Sequence, residues 1–290
     1  MYKPMLAATL EWPEQLIFPV IVSPKLDGYR CVIRDGVAYT RSLKPFRNEY
    51  VQSKIGQHGF NGLDGELIVG SPTEGLVLNR SSAVMATAGA PEFTFFIFDC
   101  FDRPYDPFVR RLESLNGFTN EHIRKVPHIM AENIDEFLAY EREFLELGYE
   151  GIMIRSPHGQ YKYGRSTLPQ GDLIKFKRFT DGEAVVIEIL EGQHNNNEFK
   201  RDALGQALRA THKENMLPAG KVGAMICRDL KTGEVLQISA GRMIHTDREF
   251  YFNNPTKLLG SVIKYKTFQY GRVDAPRFST YQAHRDRDDL

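Results

Sequence analysis

Short segments that alternate apolar and polar residues, separated by turns containing Gly and Asp, recur along this chain and commit it to a strand-rich fold. "YRCVIR" at 29–34 alternates, Asp35-Gly36 supplies a turn and "VAYTR" returns, which is a hairpin pattern. Further strands are expected in "DGELIVG", "FTFFIFDCF", "EGIMIR" and "DLIKFKRF". The clearest helical pattern lies between them at 133–147: Asn133 can cap, Ile134, Phe137, Leu138, Phe144 and Leu145 form a stripe, and Gly148 terminates. Strands and helices in this order predict a mixed α+β domain, not a regular βαβ repeat.

The character changes after Asp181-Gly182. "EAVVIEILEG", "KVGAMICRD", "EVLQISA" and "SVIKYKTFQ" read as strands, and a short helix is expected from Thr246, whose spacing to Glu249 matches a capping box. Short strands with one helix suit a small β-barrel of the OB type, so the domains are placed at 1–181 and 182–290. The stretch from Gly192 to Gly220 is polar, basic and long for a connection inside a barrel, so it is either disordered or functional.

Charge narrows the function only locally. Lys plus Arg and Asp plus Glu both number 37, so the net charge gives no sign of a nucleic-acid partner. Cations nevertheless cluster at Lys162, Arg165, Lys175, Lys177 and Arg178, again at Lys200, Arg201, Arg209 and Lys213, and again at Lys264, Lys266 and Arg272, which permits a phosphate-binding side. Cys31, Cys100 and Cys227 show no CxxC spacing, so neither a disulfide framework nor a zinc site is expected, and a reducing compartment fits. The apolar run at 16–22 is too short to span a membrane, and Glu11 and Glu14 precede it where a signal peptide would be positive. An intracellular protein is expected, in the cytoplasm or nucleus of a host.

Lys25 in "SPKLDGYR" poses the chemical question. Flanked by Pro24 and Asp27-Gly28, it is either a solvated turn lysine or a covalent nucleophile beside Arg30. A nucleophilic lysine needs neighbouring cations or a metal to release its proton, and "LIKFK" offers them, since alternation puts Lys175 and Lys177 on one face. Glu66 and Glu150 each adjoin a Gly and an apolar strand, where hard oxygen ligands suit Mg²⁺ or a ribose hydroxyl. Phe98 can stack on a base or belong to the core. GxxxxGK, GxGxxG, HExxH and GxSxG motifs are all missing, so a bound nucleotide would be held by lysines and carboxylates.

"KLDGYR" at 25–30, "LDGEL" at 63–67, "FDC" at 98–100, "EGIMIR" at 150–155 and "LIKFK" at 173–177 follow in the order of the motif set of covalent nucleotidyltransferases, the superfamily of ATP-dependent DNA ligases, RNA ligases and mRNA capping enzymes. "KPMLAATLE", "TRSLKPFRN", "YKYGRSTL" and "APRF" closely resemble the minimal ATP-dependent DNA ligases of chlorella viruses. That resemblance covers nearly the whole chain, with 190–220 matched loosely.

The resemblance implies a nucleotidyltransferase (adenylation) domain followed by an OB-fold domain, and an enzyme that seals 3′-OH/5′-phosphate nicks in duplex DNA. Lys25 would attack the α-phosphate of ATP, hold AMP as a phosphoramidate and pass it to the nick's 5′-phosphate. It implies that Arg30 and Glu66 hold the ribose, Phe98 stacks on adenine, Ser23 lies by the adenine edge, and Lys175 and Lys177 touch the AMP phosphate. Glu150 would organise Mg²⁺, with Mn²⁺ as an alternative. Arg41 would bind the 5′-phosphate and Arg165 a further phosphate. Arg277 would orient pyrophosphate, with Asp289 as a second OB-domain residue. Only a short segment precedes Lys25, so no separate N-terminal DNA-binding domain is expected. Residues 193–218, with Lys200, Arg201, Arg209 and Lys213, would form a latch by which a monomer encircles DNA as a clamp. Within the same chemistry the alternatives are a capping guanylyltransferase and an RNA ligase; outside it, a non-catalytic nucleic-acid-binding protein.

Overall fold

The chain divides into two units, Met1–Arg178 and Phe179–Leu290, in a computed structural model that describes residues 3–74, 76–201, 207–209, 213–268 and 277–285. The division precedes the suggested 181/182 boundary because the first strand of the second unit already begins at Thr180.

In the first unit the strands are β1 (Ala8–Thr9), β2 (Val20–Pro24), β3 (Tyr29–Arg34), β4 (Val37–Thr40), β5 (Leu63–Val69), β6 (Phe93–Cys100), β7 (Ile123–Lys125), β8 (Ile129–Ala131), β9 (Ile152–Arg155) and β10 (Ile174–Phe176). The helices are α1 (Glu49–Ile55), α2 (Val77–Ser81), α3 (Phe108–Ser114) and α4 (Ile134–Glu146). Two five-stranded sheets result, ordered β1-β10-β9-β2-β8 and β4-β3-β5-β6-β7. Asn133 caps α4, accepting from the Glu136 N–H at 3.0 Å, and Gly148 follows the helix at φ 93°.

Strand alternation sorts each sheet into two faces. Val20, Val22, Ile152, Ile154, Ile174 and Phe176 share a buried core with Phe137 and Phe144 of α4. In the other sheet Cys31, Ile33, Leu63, Leu67, Phe95 and Ile97 are buried with Val51 and Ile55 of α1. Their sequence neighbours therefore point to the opposite faces, where a smaller cluster including Met5, Val32, Phe101, Tyr161 and Leu173 joins the sheets. A one-residue register slip would exchange core and site side chains, so burial itself fixes which residues face the inter-sheet space.

One strand breaks the alternation. Asp64 pairs with Asp99 and Gly65 with Ile97, which leaves Phe98 as the extra residue of a β-bulge. Phe98 and Asp99 therefore both turn from the β6 core face. Gly28 is fixed by space instead: a Cβ there would lie 2.5 Å from the Leu67 carbonyl oxygen, 2.7 Å from Ile68 Cγ1 and 2.9 Å from Glu66 Cγ. Gly28→Ala should cost about 1–3 kcal/mol by overpacking, read as a lower denaturation midpoint; unchanged stability would contradict that close approach.

The second unit contains β11 (Thr180–Asn195), β12 (Phe199–Arg201), β13 (Ala207–Arg209), β14 (Met216–Asp229), β15 (Val235–Ser239), α5 (His245–Asn253), β16 (Val262–Phe268) and β17 (Arg277–Arg285). β11-β14-β15-β17-β16 close a barrel around Val186, Met225, Ile238, Ile263 and Tyr265, the five-stranded plan of an OB-fold. β11 and β14 run on beyond the barrel until Asn195 pairs with Met216, and β12 pairs with β13 between them. The expected latch segment thus begins as a continuation of a barrel hairpin. The Thr246 capping box is not formed: α5 starts one residue earlier, Ile244 is the cap residue, and no side chain caps it. Thr246 sits inside the first turn, where its hydroxyl is past the capping position. Among the described residues no helix is long and apolar enough to cross a membrane.

Candidate functional site

A cavity of about 220 Å³ opens in the first unit, lined by Ser23, Lys25, Arg30, Arg41, Glu66, Phe98, Met153, Arg155 and Lys175, among others. β2 brings Ser23 and, just past its end, Lys25; β3, β5 and β6 of the facing sheet bring Arg30, Glu66 and Phe98. Arg30 and Glu66 lie opposite each other in the β3–β5 ladder.

The Lys25 backbone is held by its N–H, which donates to the Gly151 carbonyl at 2.8 Å. Its ammonium pairs with Glu150 Oε2, while Lys177 pairs with Oε1 of the same carboxylate. Burial would raise the Glu150 carboxyl, but Lys25 and Lys177 together hold it below its usual range. Lys175 is pushed down, first by burial and then by the cations Lys25 and Arg165. Lys25, Lys175, Arg30, Arg41 and Arg155 outnumber the carboxylate Glu66 in the cavity lining, which suits it to a polyanion.

Arg30 donates two bonds to Asp64, Nε at 2.6 Å and Nη2 at 2.7 Å, and Asp64 also accepts from the Tyr161 hydroxyl at 2.5 Å. Burial opposes the Arg30 charge, yet Asp64 outweighs it and moves the guanidinium up. The same guanidinium lies 4.6 Å from the Phe98 ring centroid, so Phe98 offers the cavity an aromatic surface with Arg30 against it. Ser23 is buried at the cavity wall. Arg41, just beyond β4, is exposed at the rim. Arg165, also exposed, donates to the Ala7 carbonyl at 2.8 Å.

Glu66 carries a pH signature. Burial pushes its carboxyl up to about 7, against the pull of Arg30 and Lys25. Between its ordinary value of 4.5 and 7 the native state holds a proton that the unfolded chain has lost, so this group lowers stability as the pH rises through that window. Glu66→Gln should therefore raise unfolding free energy at pH 8 by about 1–3 kcal/mol and change little at pH 4, where both states are protonated. Calorimetry at the two pH values checks this; destabilisation at pH 8 would contradict it.

Metal fit follows from the donor set. Among the described residues no group of three or more His, Cys, Asp or Glu side chains converges as a metal cage. The single carboxylate Glu150 fits a hard cation that takes its remaining ligands from phosphate and water, as Mg²⁺ does.

Sequence reasoning missed the layer behind these residues. Asp99 accepts from Arg111 Nε at 2.8 Å, from Arg155 Nη1 at 2.5 Å and from the Cys100 N–H at 2.8 Å, and all three charged side chains are buried. Asp64, Asp99 and Arg155 lie within the motifs at 63–67, 98–100 and 150–155, but their pairing depends on strands distant in sequence. Arg277 opens β17, Lys200 and Arg201 lie in β12, Arg209 in β13 and Lys213 in a 3-10 turn, each described by its backbone alone. Asp289 lies outside the described residues.

Residues 4–177 match the family model described as an ATP dependent DNA ligase domain. The DNA ligase of African swine fever virus (strain Badajoz 1971 Vero-adapted) is 27% identical over 191 residues, covering 60% of this chain and 45% of that protein. The chain thus spans about half the length of the curated relatives it matches. A crystal structure of Chlorella virus DNA ligase-adenylate is 29% identical, with 99% of each chain covered and a TM-score of 0.56. A structure from work on Lig E DNA ligases shares the fold at a TM-score of 0.69 and 21% identity, covering 98% of this chain and 100% of that one.

Proposed function

This chain belongs to the ATP-dependent DNA ligase family, and we propose that it seals 3′-OH/5′-phosphate nicks in duplex DNA through a lysyl-AMP and then a DNA-adenylate. The observation that carries the reading is the convergence of Lys25, Lys175, Arg30, Glu66 and Phe98 on one cavity.

Lys25 attacks the α-phosphorus of ATP. Lys25 reacts as the free amine: a Nζ–P bond forms as its N–H proton passes to solvent, the bond to the β-phosphate oxygen breaks, and pyrophosphate leaves. An oxygen of the nick's 5′-phosphate then attacks the same phosphorus and releases Lys25. Finally the 3′-hydroxyl attacks the 5′-phosphorus and expels AMP. These transfers need alignment and charge neutralisation more than acid–base chemistry, which suits a floor of lysines.

Glu150 holds the Lys25 and Lys177 side chains in place before ATP enters. As phosphates arrive, the lysines transfer to them and Glu150 becomes free for a cation. Mg²⁺ held there, or Mn²⁺ in its place, would neutralise charge on the triphosphate. Phe98 stacks on adenine, Ser23 lines the adenine edge, Arg30 and Glu66 hold the ribose, and Lys175 and Lys177 bind the AMP phosphate. Arg41 takes the nick's 5′-phosphate and Arg165 a neighbouring one. Arg277, and Asp289 with it, serves pyrophosphate departure from the OB domain. The domains of this reading are an adenylation domain over 1–181 and an OB domain over 182–290, with 193–218 as a latch. The protein works as a monomer that encircles DNA, inside the cell.

A 5′-labelled nicked duplex incubated with ATP, GTP or no nucleotide and Mg²⁺ tests the proposal. ATP-dependent conversion to the longer strand is expected. Activity with GTP alone would indicate capping chemistry, sealing confined to RNA strands would indicate an RNA ligase, and inactivity with every nucleotide and strand would leave a binding protein.

A further inference from the structure

We infer that the buried Arg111–Asp99–Arg155 triad is a positioning device that sets the separation between the nucleophile Lys25 and the ring of Phe98. The inference rests on the reading of the cavity as the site of lysyl-AMP formation.

Three observations lead to it. First, Phe98 is the unpaired residue of the β6 bulge, so the ladder to β5 does not fix its place. The next residue, Asp99, is gripped by Arg155 at 2.5 Å and Arg111 at 2.8 Å. Second, Arg155 ends β9 in the facing sheet, and Gly151, just before the same strand, takes the Lys25 N–H at 2.8 Å. A short path therefore runs from the ring of Phe98 through Asp99 and Arg155 to the nucleophile's backbone. Third, the arginines are themselves fixed. The Arg155 guanidinium lies 4.4 Å from the Phe108 ring centroid, and Arg111 Nη1 donates to the carbonyls of Asp106 at 2.5 Å and Gly159 at 2.9 Å.

Burying two cations and one anion is weak as a source of stability, because desolvation offsets much of the attraction and apolar replacements often do as well. A directional bridge between two sheets does have a use where an in-line attack must be aligned, since a displacement of about 1 Å can cost on the order of a hundredfold in rate. Arg155 lines the cavity with Lys25 and Phe98, so a shift in the bridge reaches the site directly.

The reaction sequence provides a discriminating test. Lysyl-AMP formation needs Lys25 at a set distance from the stacked nucleotide, whereas sealing a nick already carrying the DNA-adenylate does not use Lys25. Arg155→Lys keeps the buried charge but loses the planar fork, and Asp99→Asn keeps the shape but loses the carboxylate. In full-length protein checked by circular dichroism, both should lower the single-turnover rate of lysyl-AMP formation about 10–100-fold, with KM for ATP within about threefold of wild type. Sealing of the pre-adenylated nick, which uses the adenine site at Phe98 but not Lys25, should fall at least about threefold less than lysyl-AMP formation does. Unchanged lysyl-AMP formation in Arg155→Lys would overturn the inference. So would parallel loss of both reactions or loss of the fold in that variant, since either makes the triad merely structural. Wild type that forms no lysyl-AMP would instead refute the underlying reading of the cavity.

Discussion

Lys25→Ala should reduce ATP-dependent nick sealing by about ten-thousandfold or more, because no neighbouring amine can replace a covalent nucleophile. Lys175 and Lys177 are close, but Lys177 is engaged by Glu150 and Lys175 stands on another strand, so neither occupies the end of β2. The variant should fold normally. Its Glu150 keeps Lys177 as a partner, which avoids leaving a buried carboxylate uncompensated. A nick supplied with AMP already on its 5′-phosphate bypasses Lys25 and should still be sealed at a rate within about tenfold of wild type. Retained ATP-dependent sealing would remove Lys25 from the chemistry; loss of sealing on the pre-adenylated nick as well would give it a second role.

Replacing residues 196–215 by a two-residue turn should weaken nick binding about a hundredfold or more while leaving lysyl-AMP formation unchanged. The ladder permits the cut, since Asn195 already pairs with Met216 and a tight turn can close there without disturbing the barrel. The removed stretch contains Lys200, Arg201, Arg209 and Lys213. If these neutralise phosphates, the deletion should also flatten the salt dependence of binding, by up to about 0.9 in log–log slope for each phosphate no longer neutralised. Electrophoretic mobility shift over a range of salt concentrations reads both effects. Undiminished affinity would show that the extended hairpin is not a DNA latch.

Much of the site was legible because strand alternation and a chemically demanding motif coincide. Lys25, Arg30, Glu66, Phe98, Glu150 and Lys175 sit at strand ends or on one strand face, and period-two alternation alone separates them from the core residues between them. What escaped depends on contacts between elements distant in sequence. The bonds of Asp99 to Arg111 and Arg155, and of Asp64 to Arg30 and Tyr161, join residues 12 to 97 positions apart, and no local pattern encodes such a partner. The bulge at Phe98 escaped for the same reason, because it exists only in the pairing of β6 with β5. The Thr246 capping box had the right residues, but the helix is capped two positions earlier, at Ile244, and cannot use them. Four of the five barrel strands, β11, β14, β15 and β16, were readable from alternation, whereas β17 was missed and the β12–β13 hairpin lies in a polar stretch that lacks such a pattern.

The most direct test of the central claim is denaturing-gel autoradiography of the wild-type protein after incubation with [α-³²P]ATP or [α-³²P]GTP and Mg²⁺, followed by peptide mapping of any labelled band. A covalent lysyl-AMP predicts label from ATP that survives denaturation and maps to the peptide containing Lys25. No label from ATP, or label on a different residue, would contradict it.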